Sequence, residues 1–270
     1  MQNVSNLYVS HRLYVYQSCM YIFHRLFVEV DDNNPHDESI EDIFEKVQKI
    51  FESYHLDAIY YHLNLVFEFL KLEYYNHYKV YRLSEKYFEE VNDAGANLLV
   101  NYSTFCFPAQ FLISKLERSL RIGSEADLYA ENEGVFQDME TDALDVPKHV
   151  IYTTYRALSC HFADKHEEAA KMINNLLNEV SLKKYPYTQL EVKSLLALEY
   201  TLVRDYELFN QLANSIQRQI RMFGKDSCEH VQLFLKILKI ATSEAKREKA
   251  KKITAVIPRL AAVSVNYFAP

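Results

Sequence analysis

Residues 157–176 read ALSCHFADKHEEAAKMINNL, and residues 197–216 read ALEYTLVRDYELFNQLANSI. Laid over one another at a spacing of 40, Ala157 falls on Ala197, Cys160 on Tyr200, His166 on Tyr206 and Glu167 on Glu207. Further on, Ala169 falls on Phe209, Ile173 on Ala213 and Leu176 on Ile216. Each stretch predicts a helix, a tight polar turn and a second helix, with the turns at 163–165 and 203–205. A small residue midway along the first helix lets the second approach closely. The aspartate in each turn (Asp164, Asp205) is suited to capping the helix that follows. A pair of this kind cannot bury both apolar faces alone, so neighbouring pairs must stack.

The same period runs outward from this centre. Ile40, Ile43, Phe44, Val47, Ile50, Phe51 and Tyr54 step by three and four, with Ser39 and Asp42 as a capping-box-like start. Ile59, Leu63, Val66, Phe67 and Leu70 predict another helix. Val80, Leu83, Tyr87, Phe88 and Val91 predict the next, with a turn between them near 74–77 and Gly95 as its stop. Residues 7–30 read as helix, with strand as the alternative over 14–30, and 31–36 as a loop. Residues 101–120 read as helix with Pro108 in its first turn. Stripes at Leu208, Leu212, Ile216 and Ile220, then Val231, Phe234, Ile237 and Leu238, and finally Ile253, Val256, Ile257 and Leu260 complete the C-terminal half, where Pro258 limits or kinks the last helix.

Composition narrows the choice of fold. The chain has 270 residues, of which 4 are glycine and 6 proline. Average usage of about 7% would give about 19 glycines. Turn-rich β folds and phosphate-cradling α/β folds both depend on glycine, so an all-α protein remains. Residues 1–150 carry 12 Lys/Arg against 25 Asp/Glu, a net −13, and residues 151–270 carry 18 against 12, a net +6. Residues 123–147 hold eight acidic side chains and no Lys or Arg, which reads as an acidic connector, with a short irregular helix as the alternative, between helical parts at 1–122 and 148–270. The four cysteines lie far apart, three of them (Cys19, Cys106, Cys160) among apolar neighbours, which implies free buried thiols, a reducing compartment and a cytoplasmic location. No stretch reads as a membrane span, and no leader pattern opens the chain.

The pattern of a small residue, an aromatic three later and an alanine nine beyond that resembles the tetratricopeptide repeat. Ala157, Cys160 and Ala169 take those places in one unit, and Ala197, Tyr200 and Phe209 in the next. Cys160 departs from the aromatic and Phe209 from the alanine, and the period is 40 rather than about 34. Pro186 sits between the units, roughly where the family often carries its inter-repeat proline. The resemblance covers about 150–223; residues 57–94 read as a helix pair without the signature. It implies an array of antiparallel helical hairpins, an α-solenoid whose concave face is lined by the first helix of each pair. The groove would then present Thr154, Leu158, His161 and Phe162, followed by Ser194, Leu198, Thr201 and Leu202. The family's Lys/Asn carboxylate clamp has no counterpart, which argues against capture of acidic C-terminal tails.

Reactive constellations are scarce. The glycines lie too far apart for phosphate loops, and neither GxSxG nor HExxH occurs. Glu52 and His55 make a single Glu-x-x-His where a di-iron bundle needs two. Glu73 and His77, and likewise His161 and His166, fall across predicted turns, so no metal or other cofactor is expected. Tyr60, Tyr61, Tyr74, Tyr75, Tyr78 and Tyr81 crowd one helix pair, more as packing than as a stacking platform for bases. Lys246, Arg247, Lys249, Lys251 and Lys252 form a basic patch on the last helix. Together these features predict a non-enzymatic scaffold that binds a protein or peptide. A ligand- or peptide-responsive regulator is the alternative, with nucleic acid on the basic half weaker still. The apolar residues 260–270 suit docking on the last helix pair or burial against a second copy.

Overall fold

The computed structural model describes residues 2–27, 38–53, 58–101, 107–131, 143–224, 226–243 and 246–268. The described residues are helical throughout, without a strand. The predicted loop at 31–36 and Cys106 lie outside them. Two compact units divide between Phe111 and Leu112, inside a helix.

The first unit contains α1 (Gln2–Phe27), α2 (Ile40–Glu52), α3 (Ala58–His77), α4 (Tyr81–Asn101) and the start of α5 (Phe107–Ile122). The N-terminal segment is therefore helix, not strand. Ser39 caps α2 by accepting a 3.1 Å hydrogen bond from Asp42 N–H, a contact of about 1 kcal/mol. The α2 stripe Ile43, Phe44, Val47 and Phe51 is buried against Val15, Cys19 and Ile22 of α1 and Leu63, Phe67 and Leu70 of α3. α3 is the central helix of this unit, because its other side buries Leu65, Phe69 and Leu72 against Phe88, Val91 and Phe111. A helix covered on two sides carries no clean polar face. Two of the crowded tyrosines belong to this core, Tyr74 packing edge-on against Phe44 and Tyr75 stacking on Tyr87, while Tyr61, Tyr78 and Tyr81 are exposed.

Two boundaries differ from expectation. α3 continues through Tyr74–His77, and the turn falls at 78–80, because the aromatic run extends the apolar side of the helix by another turn. Glu73 and His77 therefore share one helix instead of straddling a turn. α4 passes Gly95 and ends at Asn101, and α5 starts at Phe107 with Pro108 in its first turn. A lone glycine costs a helix about 1 kcal/mol, too little to stop one that continues on both sides.

The second unit holds the rest of α5, then α6 (Val146–Phe162), α7 (His166–Glu179), α8 (Pro186–Leu202), α9 (Tyr206–Phe223), α10 (Glu229–Ser243) and α11 (Lys246–Phe268). α6, α7 and α8 enclose one core around Ala157, Ala169, Ile173, Leu176 and Leu196. α8, α9 and α10 enclose another around Ala197, Phe209, Ala213, Ile216 and Leu235. α8 thus serves both, as α3 does in the first unit. Gly224 ends α9 with φ +94°, a value that suits glycine, while its N–H bonds to Ile220 O. Pro258 neither ends nor limits α11, which runs on to Phe268. The acidic segment is partly anchored: its first residues form a short 3-10 turn at Glu125–Asp127, and Leu128 beyond it is fully buried. Residues 132–142 lie outside the described residues.

One turn occurs three times. Asp164 and Arg204 sit at φ +58° and +64° between α6 and α7 and between α8 and α9, and Lys79 sits at +57° between α3 and α4. The following N–H reaches back five residues each time: Lys165 to Cys160 O (2.9 Å), Asp205 to Tyr200 O (2.9 Å) and Val80 to Tyr75 O (2.8 Å). These bonds satisfy carbonyls that the ending helix leaves unpaired. Asp205 caps α9 as expected, accepting from Leu208 N–H at 3.1 Å. Asp164 does not cap α7; the cap position is Lys165, without a side-chain bond. Asp164 takes the left-handed position one residue earlier, which aspartate tolerates better than most residues.

Candidate functional site

The eight groove candidates separate into three environments. Thr154 and Leu158, one turn apart on α6, line a cleft of about 310 Å³. Its other walls are Ile113 and Leu116 from α5 and Thr188, Glu191, Val192 and Leu195 from α8. The lining is mostly apolar, with Glu191 exposed at the rim. Thr154 Oγ1 is buried and has no hydrogen-bond partner among the described residues.

The four candidates on α8 do not join this cleft. Ser194 is buried and donates to Leu190 O at 2.8 Å, and Thr201 donates to Ala197 O at 2.8 Å, so both hydroxyls are spent on their own helix. Leu198 packs against the core shared by α8, α9 and α10. Leu202 is exposed at the end of α8. The α8 residues that do face the cleft lie at 188, 191, 192 and 195, on another side of the helix. The 40-residue register finds the helices and the turns but not which side of α8 meets solvent.

His161 and Phe162 lie at the end of α6, and His161 takes part in a polar cluster that the sequence alone does not suggest. Glu199, on α8, is fully buried. Its Oε1 lies 2.7 Å from His161 Nδ1 and its Oε2 lies 3.1 Å from His166 Nδ1. The imidazole rings are 5.2 Å apart between centroids. Asp164 Oδ1 stands 3.8 Å from His166 Nε2. A buried carboxylate without such partners would cost several kcal/mol. Two imidazoles on opposite oxygens supply what water supplies elsewhere. The local clue is a single acid inside the apolar run Leu195, Leu196, Ala197, Leu198.

The three described cysteines sit where burial disfavours the thiolate. Cys19, Cys160 and Cys228 are buried and unpaired. Burial pushes the Cys19 thiol up to about 12 and raises those of Cys160 and Cys228.

The basic face of α11 is partly neutralised. Lys252 pairs with Glu248 at 3.3 Å, Lys249 donates to Ala241 O at 2.6 Å, and Arg259 pairs with Glu229 on α10. Lys251 is exposed, and the side chains of Lys246 and Arg247 lie outside the described residues. A second cleft, of about 500 Å³ between α9 and α10, brings together Arg221, Lys236 and Lys239. No carboxylate lines it among the described residues. No described helix is long and apolar enough to cross a membrane. No protein-family model, curated protein or solved structure matches the chain.

Proposed function

We propose that the chain is a non-enzymatic scaffold of the tetratricopeptide type, built of antiparallel helical hairpins, that seats a protein or peptide segment in the cleft walled by α5, α6 and α8. The observation that carries this reading is the cleft itself. It is walled by rigid helices, apolar along its length, and edged by one carboxylate. Its volume suits a few side chains, not a whole domain. An amphipathic helical or extended segment fits its chemistry, with two or three aliphatic or aromatic anchors and a Lys or Arg beside Glu191. Affinity would come from the apolar anchors, and Glu191 would set direction.

The test is a fluorescence-anisotropy screen of amphipathic peptides that differ in one basic position. Leu158→Asp and Leu195→Asp are measured beside the wild type, with circular dichroism confirming that each variant is folded. Selected peptides should bind the wild type and lose at least tenfold in affinity to either variant, while Leu202→Asp, at an exposed position outside the cleft, leaves binding unchanged. Peptides that bind all four proteins equally would remove the cleft from the function, and a screen with no binder would do the same.

The cleft holding Arg221, Lys236 and Lys239 supports a second reading, in which the basic half meets a polyanion. Binding of a single-stranded RNA there would weaken linearly in log–log form with salt, and more steeply than in a Lys236→Glu, Lys239→Glu variant. Binding that ignores both the salt and the substitutions would end that reading.

A further inference from the structure

We propose that His161, His166 and Glu199 form a binding site for one divalent transition-metal ion, Zn2+ foremost. The proposal is independent of the cleft reading, since neither Leu158 nor Leu195 belongs to the cluster. Three observations carry it. First, two imidazole nitrogens and a carboxylate oxygen gather with every ligand atom within 4.8 Å of the others. Two His and one Glu are the protein ligands of a family of open zinc sites, which leave the fourth position to water. Second, the three side chains come from the end of α6, the start of α7 and the interior of α8. Each is held by a helix, so the cluster is set by the fold and not by a flexible loop. Third, the carboxylate is buried while the imidazoles reach solvent. Glu199 is fully buried, whereas the imidazoles are 20% and 22% exposed, so an ion can arrive from the histidine side.

The geometry needs a local adjustment. Tetrahedral zinc with bonds of about 2.0–2.1 Å holds neighbouring ligand atoms about 3.3 Å apart. The present separations to Glu199 are 2.7 Å for His161 and 3.1 Å for His166. The two histidines face different oxygens of Glu199, so one ion would draw together ligand atoms that now lie within 4.8 Å of one another, a closing of up to about 1.5 Å that rotation of the imidazoles at the helix ends can supply. Without metal, each Nδ1 carries a proton donated to Glu199. On binding, each imidazole turns its Nδ1 lone pair to the ion and carries its ring proton on Nε2 instead, the proton leaving Nδ1 as another is taken up from solvent at Nε2, and the ion compensates the charge of the buried carboxylate. Asp164 faces the remote nitrogen of His166 and would favour the tautomer whose Nδ1 lone pair points at the ion, as carboxylates behind metal-bound imidazoles do. Hard cations such as Mg2+ and Ca2+ prefer oxygen cages, so they are expected to bind poorly here.

The experiment uses the full chain, stripped with chelator and then equilibrated with Zn2+ or Co2+. Wild type should retain one Zn2+ per chain through gel filtration and give the intense visible absorption of tetrahedral Co2+. His166→Ala, at the half-exposed start of α7, should lose at least tenfold in affinity and lose the Co2+ spectrum. His161→Ala should do the same, and Asp164→Asn should weaken binding by about tenfold while keeping the stoichiometry. Circular dichroism checks each fold; should His161→Ala fail to fold, His166→Ala decides alone. Absence of retained metal in the wild type would overturn the site, leaving a hydrogen-bonded cluster only. Equal retention by wild type and His166→Ala would also overturn it, since the ion would then sit on other histidines.

Discussion

The turn at 78–80 in the first unit and the turns at 163–165 and 203–205 in the second share one backbone but not one set of side chains. All three put a non-glycine residue at φ near +60° and close the same five-residue hydrogen bond. Counted from that residue, the buried positions also coincide. Leu72, Ala157 and Ala197 are buried seven residues before it, and Ser84, Ala169 and Phe209 five residues after it. Four positions further on come Phe88, Ile173 and Ala213. Neighbours four apart share a helix face. In each second helix this face carries one small and one large residue: Ser84 with Phe88, Ala169 with Ile173, and Phe209 with Ala213. The order reverses only in the last. The backbone turn is thus common to three helix pairs, while the volume beneath it is distributed differently. That is the behaviour expected of close-packed cores in which total volume matters more than the identity at one position.

The largest expected effect comes from breaking that exchange. Phe209→Ala should cost about 3–5 kcal/mol in urea unfolding, the usual penalty for deleting a buried phenyl ring. Adding Ala213→Ile rebuilds the order found at Ala169 and Ile173. It should recover at least about 1 kcal/mol, because the new branch enters the space the ring vacated. Ala213→Ile alone should instead destabilise by about 1–3 kcal/mol through overpacking. Additive losses in the double variant would mean that the two positions do not share volume, and the comparison would fail at its centre.

A middle-sized effect tests the shared backbone. Valine tolerates the left-handed region poorly. Lys79→Val, Asp164→Val and Arg204→Val should each cost about 1–2 kcal/mol. Glycine at the same positions should be neutral or stabilising by a few tenths of a kcal/mol, because relief of strain is offset by the more flexible unfolded chain. The three sites lie at 99 % side-chain exposure for Asp164 and in solvent-facing turns for the others, so packing adds little. A valine tolerated freely at any one of them would show that its turn relaxes to a different form.

Helix positions were legible because a stripe at three and four residues survives wherever one side of a helix faces solvent, as in 40–51 and 208–220. The two turns of the second unit were legible because Ala-Asp-Lys and Val-Arg-Asp break the stripe abruptly. The turn at 78–80 was not, since Tyr74, Tyr75 and Tyr78 blur the boundary between core and rim. Nor did 57–94 present the small-residue signature, because Leu72 stands where the second unit has alanine. The side of α8 that faces the cleft was hidden for a related reason: a helix buried on two sides is apolar nearly all round. The cluster at Glu199 escaped because its partners lie 33 and 38 residues away in the chain, a distance no local motif spans.

The smallest effect separates two aspartates that look alike in sequence. Asp205 accepts a hydrogen bond from Leu208 N–H at the start of α9, and Phe209 N–H bonds to its carbonyl. Asp164 occupies the preceding place in its own turn and bonds to no N–H of α7. Asp205→Ala should therefore lower stability by about 1 kcal/mol. Asp164→Ala should shift it by less than about 0.5 kcal/mol, since it trades a tolerable left-handed residue for a slightly worse one and removes no cap. Thermal or urea unfolding in metal-free buffer resolves the difference and keeps any ion at His166 out of the comparison. Equal losses would mean that Asp164 caps α7 in solution, making the two turns alike in side chain as well as in backbone.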